Sequence, residues 1–193
     1  MVRNVQSVTL KTILVLNKMN RNSVGIAATS SKLSALALFG WMVRQRGPWD
    51  PKPYIEDHSI PPHSQQIGQY WYYYDVWGNV MFGYLGSAAG FQEWELLNGG
   101  GLAQLVTDVR WAPYAAQIGG CCRLAPMPRP WHNFYLLWAF DHPQDRVTTR
   151  MGIRLWREHE TGVKTRDIIE AVVQAGDTGE IERRPEPWPW AWS

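Results

Sequence analysis

The segment from Tyr70 to Gly90 constrains this chain most. It opens with five consecutive aromatics, Tyr70, Trp71, Tyr72, Tyr73 and Tyr74, a run suited to a strand or to the approach to a pocket. Glycines follow at positions 78, 83, 86 and 90. A residue without a Cβ lets one backbone lie directly on another, so this spacing reads as close packing of helices. Close packing is a better reading than nucleotide binding, and the chain has no phosphate loop ending in Gly-Lys-Ser.

On either side of this segment the pattern is helical. Gln6 to Asn20 sets Val8, Ile13, Leu14 and Leu16 in a 3.6-residue rhythm. A second helix is expected from a cap at Ser30 or Ser31 to about Arg46, where Gly47, Pro48, Pro51 and Pro53 stop it. The Pro-rich stretch through Pro62 reads as a surface loop. Phe91 to Leu97 and Leu102 to Val109 form a helix pair broken by Gly99 to Gly101, and Pro113 to Pro130 is irregular.

Asp141 followed by Pro143 is an N-cap with proline in the first turn, and the helix beyond aligns Val147, Met151 and Leu155. A last helix from about Thr165 to Ala175 turns Ile168, Ile169, Val172 and Val173 inward and ends at Gly176. The expected fold is mainly α (α or α+β): one compact domain of about six helices, residues 1–182, around a Gly- and aromatic-rich centre. Residues 183–193 alternate Pro and Trp. They either lie against the body or form a docking segment, since neither an ordinary helix nor a central strand tolerates that pattern.

With 193 residues, 45% of them hydrophobic and 19% charged, the chain can bury a sizeable core and is far from the profile of disorder. Twelve Trp and eight Tyr are too crowded to be all core, so some should face a ligand or partner. A formal net charge of +2 disfavours a duplex-DNA binder. Cys121 and Cys122 are adjacent, where a disulfide would be strained, and read as ordinary thiols. The apolar stretches Thr12 to Leu16 and Ala35 to Met42 are too short to span a bilayer and resemble no signal peptide. No stable membrane insertion is expected, and an exported chain would need another carrier.

Three ordered motifs carry a resemblance. The central one runs Tyr73-Tyr74-Asp75-Val76-Trp77-Gly78-Asn79-Val80-Met81-Phe82-Gly83-Tyr84-Leu85-Gly86-Ser87-Ala88-Ala89-Gly90-Phe91, then Leu96-Leu97 and Gly99-Gly100-Gly101-Leu102-Ala103-Gln104. Upstream stands Trp49-Asp50-Pro51-Lys52-Pro53, and downstream Asp141-His142-Pro143-Gln144-Asp145, then Gly152-Ile153. From about Leu10 to Leu155 the chain resembles the polymorphic toxin type 44 family. Members of that family end large secreted proteins or stand alone beside an immunity protein. The resemblance implies an antibacterial toxin, a hydrolase or nuclease, with a cognate immunity protein and a secretion machinery or carrier protein as partners. The site of action could be the periplasm. Met81 and Pro51 depart from the family pattern, which has a polar residue or His at the first and His or Tyr at the second.

Hydrolysis without a cofactor requires a proton donor, a base and stabilisation of developing charge. The motifs supply Asp50, Lys52, Asp75, Asn79, Asp141 and Asp145. Paired carboxylates among aromatics suit a glycan-cleaving site, because one acid protonates the leaving oxygen and ring faces stack on sugars. Asp75 with Asp50 or Asp145 is the first choice, and Trp49, Tyr74, Trp77 and Tyr84 are the candidate substrate contacts. Each residue also has a plainer role: Asp75 as a cap, Asp141 as an N-cap, Asp145 as a solvated first-turn acid, Asn79 in a turn, and Asp50 with Lys52 as an ion pair. An RNase is the alternative, with His58 or His63 beside Lys52. A binder without catalysis is the third. No metal-ligand spacing and no cofactor motif appears.

Overall fold

The computed structural model describes residues 8–22, 26–59, 61, 63–103 and 141–187. The chain is mainly α. Helices α1 (Val8–Asn22) and α2 (Ile26–Val43) form a hairpin that buries Leu10 and Ile13 of one against Ala35 and Phe39 of the other. Helix α2 starts at Ile26 rather than at Ser30 or Ser31, because serine inside a helix costs only tenths of a kcal/mol and pairing with α1 outweighs that.

The expected surface loop after Gly47 contains a short helix, α3 (Lys52–His58). Pro53 sits in its first turn, where a missing N–H removes no intrahelical bond, and Ile55 anchors it in the core. Strands β1 (Ser64–Ile67) and β2 (Tyr70–Tyr73) then pair antiparallel, with Ser64 opposite Tyr73 and a two-residue turn at Gly68 and Gln69. Gly68 takes a φ of 61°, as hairpin turns of this length demand. Tyr72 is completely buried on the inner face of β2. The main chain of Arg184 bonds both ways to Trp71, so the start of the Pro/Trp segment lies against β2 as a single bridge.

Helix α4 (Asp75–Ala88) and helix α6 (Pro143–Glu158) make the central packing. They run in the same direction. Asn79 lies beside Asp145, and Gly83 beside Thr149. A Cβ at Gly83 would collide with the Thr149 carbonyl oxygen, and one at Gly152 with that of Val80. Close approach is therefore obligatory at both crossings, and the two N-termini meet at one end of the molecule. Between them, α5 spans residues 93–103 without the break expected at Gly99 to Gly101. Each glycine costs a helix about 1 kcal/mol against Ala, and burial of Leu96 and Leu97 keeps the helix whole.

Two further boundaries differ from the sequence reading. The N-cap of α6 is His142, whose Nδ1 accepts from the Gln144 amide, and not Asp141. Helix α7 (Thr165–Asp177) continues through Gly176, which is buried against the Tyr72 ring, and ends at Thr178. Gly179, with φ 77°, takes the left-handed turn instead. The part of the expected Leu102 to Val109 helix that follows Ala103, the irregular Pro113 to Pro130 stretch, Cys121, Cys122 and residues 188–193 lie outside the described residues.

Candidate functional site

Five polar candidates from three separate motifs converge where α4 and α6 begin. Asp75 is the first residue of α4, and Asn79 lies one turn further on the same face. The Asn79 side-chain amide donates to Asp145 Oδ1 at 2.8 Å, tying α4 to the first turn of α6. Lys52 reaches in from α3, its Nζ 2.5 Å from Asp75 Oδ1. Gly78 makes this reach possible, since a Cβ there would stand 2.6 Å from Lys52 Cε.

The electrostatics of the two carboxylates differ. Burial pushes Asp145 up to about 7, helped by the nearby charges of Asp141 and Asp75, while Lys52 and the Asn79 hydrogen bond pull the other way. The dipole at the α6 N-terminus also favours the ionised form, but at roughly 0.3–1 kcal/mol it is worth less than one pKa unit. Asp75 instead faces an ammonium. Burial pulls Lys52 down, yet Asp75, with Asp50 and Asp145 behind it, outweighs that and holds its pKa above the ordinary value. Lys52 is therefore a fixed cation, and Asp145 an acid that titrates near neutrality.

Asp141, freed from the cap, is buried with Gly100 of α5 against its carboxyl group. Burial pushes it up to about 6, opposed by a backbone hydrogen bond and by Arg146 and Lys52. By sequence this residue is the weakest catalytic candidate, because Pro143 accounts for it as an N-cap. The signal that could have restored it is Gly100, a residue small enough to admit a carboxylate. Tyr73 was also passed over. Its ring meets that of Tyr74 edge-on at 4.8 Å, and burial with the Asp75 charge raises both phenols, Tyr73 to about 12. Tyr74 itself lies within 5.9 Å of Lys52 Nζ.

Other candidates fall elsewhere. Asp50 uses both oxygens on main-chain amides, accepting from Arg46 at 2.7 Å and from Lys52 at 3.0 Å, so it clamps the loop that carries Lys52. Trp49 is buried beneath Phe39. Tyr84 is wholly buried, its hydroxyl donating to the His159 carbonyl and accepting from the Val163 amide. Those two rings belong to the core and not to an exposed sugar platform, because the same small residues that join α4 and α6 bury the neighbouring Tyr84. Trp77 is half-buried against the core, and its indole N–H has no partner among the described residues.

Among the histidines, His58 bonds the Tyr54 carbonyl and stacks on that exposed ring. His63 lies 4.9 Å from the Tyr74 ring centre, with Nδ1 3.4 Å from Glu56 but without hydrogen-bonding geometry. His132 is outside the described residues. Met81 packs against the core, and Pro51 holds the N-cap of α3. Among the described residues, no three His, Cys, Asp or Glu side chains are placed to hold a metal ion, and no helix is long and apolar enough to cross a membrane.

Fold and cluster together define a mainly α domain whose polar end gathers carboxylates, a lysine and tyrosines at the meeting of two helix N-termini. The family described as bacterial toxin 44 matches residues 38–158, and the chain belongs to it. Its function is that of a bacterial toxin. No curated protein and no solved structure matches the chain.

Proposed function

We propose that this toxin hydrolyses a cell-envelope glycan or a glycan-bearing precursor, with Asp145 as proton donor and Asp75 as the ionised partner. The observation that carries the reading is the opposed setting of two carboxyl groups in one cluster: Asp145 lifted to about 7, and Asp75 paired with Lys52 at 2.5 Å. Glycosidic cleavage needs that division of labour, a protonated acid for the leaving oxygen and a carboxylate for the water or the sugar cation.

Asn79 holds the Asp145 carboxyl in place, and Lys52 holds that of Asp75. Tyr74 and Trp77 flank Asp75 in the chain and offer ring faces to a sugar. A cognate immunity protein would protect the producer by covering this end, and delivery would depend on a secretion machinery or carrier protein.

The competing RNase reading rests on His63, which shares the Tyr74 ring with Lys52. Expression in a bacterium with and without a periplasmic export signal separates the two. Killing confined to the exported protein supports envelope hydrolysis. Killing from the cytoplasm puts the RNase first, and no killing in either compartment leaves a binding protein.

A further inference from the structure

The charge of this chain is segregated, a fact that the net value of +2 hides. The first 49 residues contain seven basic side chains and no acidic one. From Asp50 onward, twelve basic residues face all seventeen acidic ones. Six of the seven belong to the α1–α2 hairpin and the turn after it, Arg3 lying outside the described residues, and the hairpin carries apolar side chains outward. On α1, Val8, Val15 and Met19 are 81%, 54% and 49% exposed, spaced seven and four residues apart on the side opposite the buried Ile13 and Asn17. Exposed Lys11 and Lys18 run along the edge of that stripe. On α2, Leu33, Leu36 and Trp41 are exposed, with the exposed Ala37 and Gly40 between them. The Arg44 guanidinium lies 3.3 Å over the Trp41 ring.

Lys32 is turned inward, bonded to Glu95 and Asn17. It fixes the hairpin on the core, while the outer faces stay exposed among the described residues.

We infer that the α1–α2 hairpin is a peripheral docking face for an anionic phospholipid surface. Charge complementarity selects this occupant. An apolar stripe edged by lysines, with a tryptophan beside an arginine, is the composition that settles at the headgroup boundary, where the apolar side chains enter and the cations meet phosphate. Exposed apolar side chains confined to one face of each helix suit attachment at the surface. A nucleic acid would satisfy the cations but not Val15, Met19, Leu33 and Leu36. An acidic protein partner would need its own matching apolar face. Docking here is independent of the carboxylate cluster, since it uses other residues on other helices.

Co-sedimentation of the full chain with vesicles of phosphatidylcholine, alone or mixed with phosphatidylglycerol, tests the inference. Binding to the mixed vesicles is expected, to be weakened by salt. Lys11→Gln with Lys18→Gln should weaken it about 30-fold, and Leu33→Ser with Trp41→Ser should abolish it. All four side chains are exposed, and circular dichroism checks that the variants fold. Should a variant fail to fold, the lipid and salt dependence of the wild type still decides. Equal binding to neutral vesicles, no binding to either, or full displacement by an RNA oligomer would overturn the inference.

Discussion

Asn79 and Asp145, sixty-six residues apart in the chain, share a 2.8 Å hydrogen bond across the contact between α4 and α6. That bond exists because Gly83 and Gly152 let the two backbones touch, so the chemistry of the site depends on packing one and two turns away.

Replacing either glycine tests the dependence. An alanine Cβ at Gly152 would meet the Val80 carbonyl oxygen, which is backbone and cannot swing aside. Gly152→Ala and Gly83→Ala should each cost about 3 kcal/mol or more by urea denaturation and lose toxicity with it. Gly99→Ala, where the nearest atom is Phe82 Cζ at 3.9 Å, should be neutral or stabilising by up to about 1 kcal/mol.

Gly78→Ala should behave differently, because what stands in the way is the end of a flexible lysine. Stability should hold while the Lys52–Asp75 pair is displaced. Thermal unfolding and toxicity measured together would show activity lost at nearly unchanged Tm; a parallel loss of both would mean that Gly78 serves only the core.

The raised carboxyls make stability depend on pH. Asp145 and Asp141 bind protons more tightly folded, at about 7 and about 6, than at the ordinary value of 3.8 that holds in an unfolded chain. The folded state therefore holds more protons between these limits. Their contribution is fully present below pH about 4 and is lost as pH rises to about 7. Asp145→Asn removes the cost of burying a charge, of order a few kcal/mol at pH 8, and should raise Tm there more than at pH 5. An equal shift at both pH values would refute the assignment.

Tyr84→Phe separates core from site. Losing a hydroxyl bonded to both His159 and Val163 leaves a buried amide without its acceptor and should cost about 1–3 kcal/mol. Substrate turnover per folded molecule should not change.

Much of the architecture was legible because it was periodic or punctuated. The 3.6-residue rhythm located α1, α6 and α7, and the glycine spacing announced the close helix contact. Boundaries failed where tertiary packing overrode local chemistry, as in α5 through three glycines and α2 through two serines. The polar residues that converge where α4 and α6 begin were legible in the motifs, but their different surroundings were not. Asp50 and Asp145 read alike in the sequence; one is spent on two main-chain amides and the other is lifted toward neutrality, because only the fold decides which carboxyl meets Asn79 and which meets an amide. Charge segregation was present in the sequence throughout, concealed by summing over the whole chain.

The most direct test is the release of reducing ends from purified peptidoglycan at pH 6 by the wild type, Asp145→Asn and Asp75→Asn, with an RNA substrate in parallel. The account predicts release by the wild type, loss by a factor of about 10²–10⁴ in each variant, and no cleavage of RNA. Undiminished release by both folded variants, or cleavage of RNA alone, would contradict it.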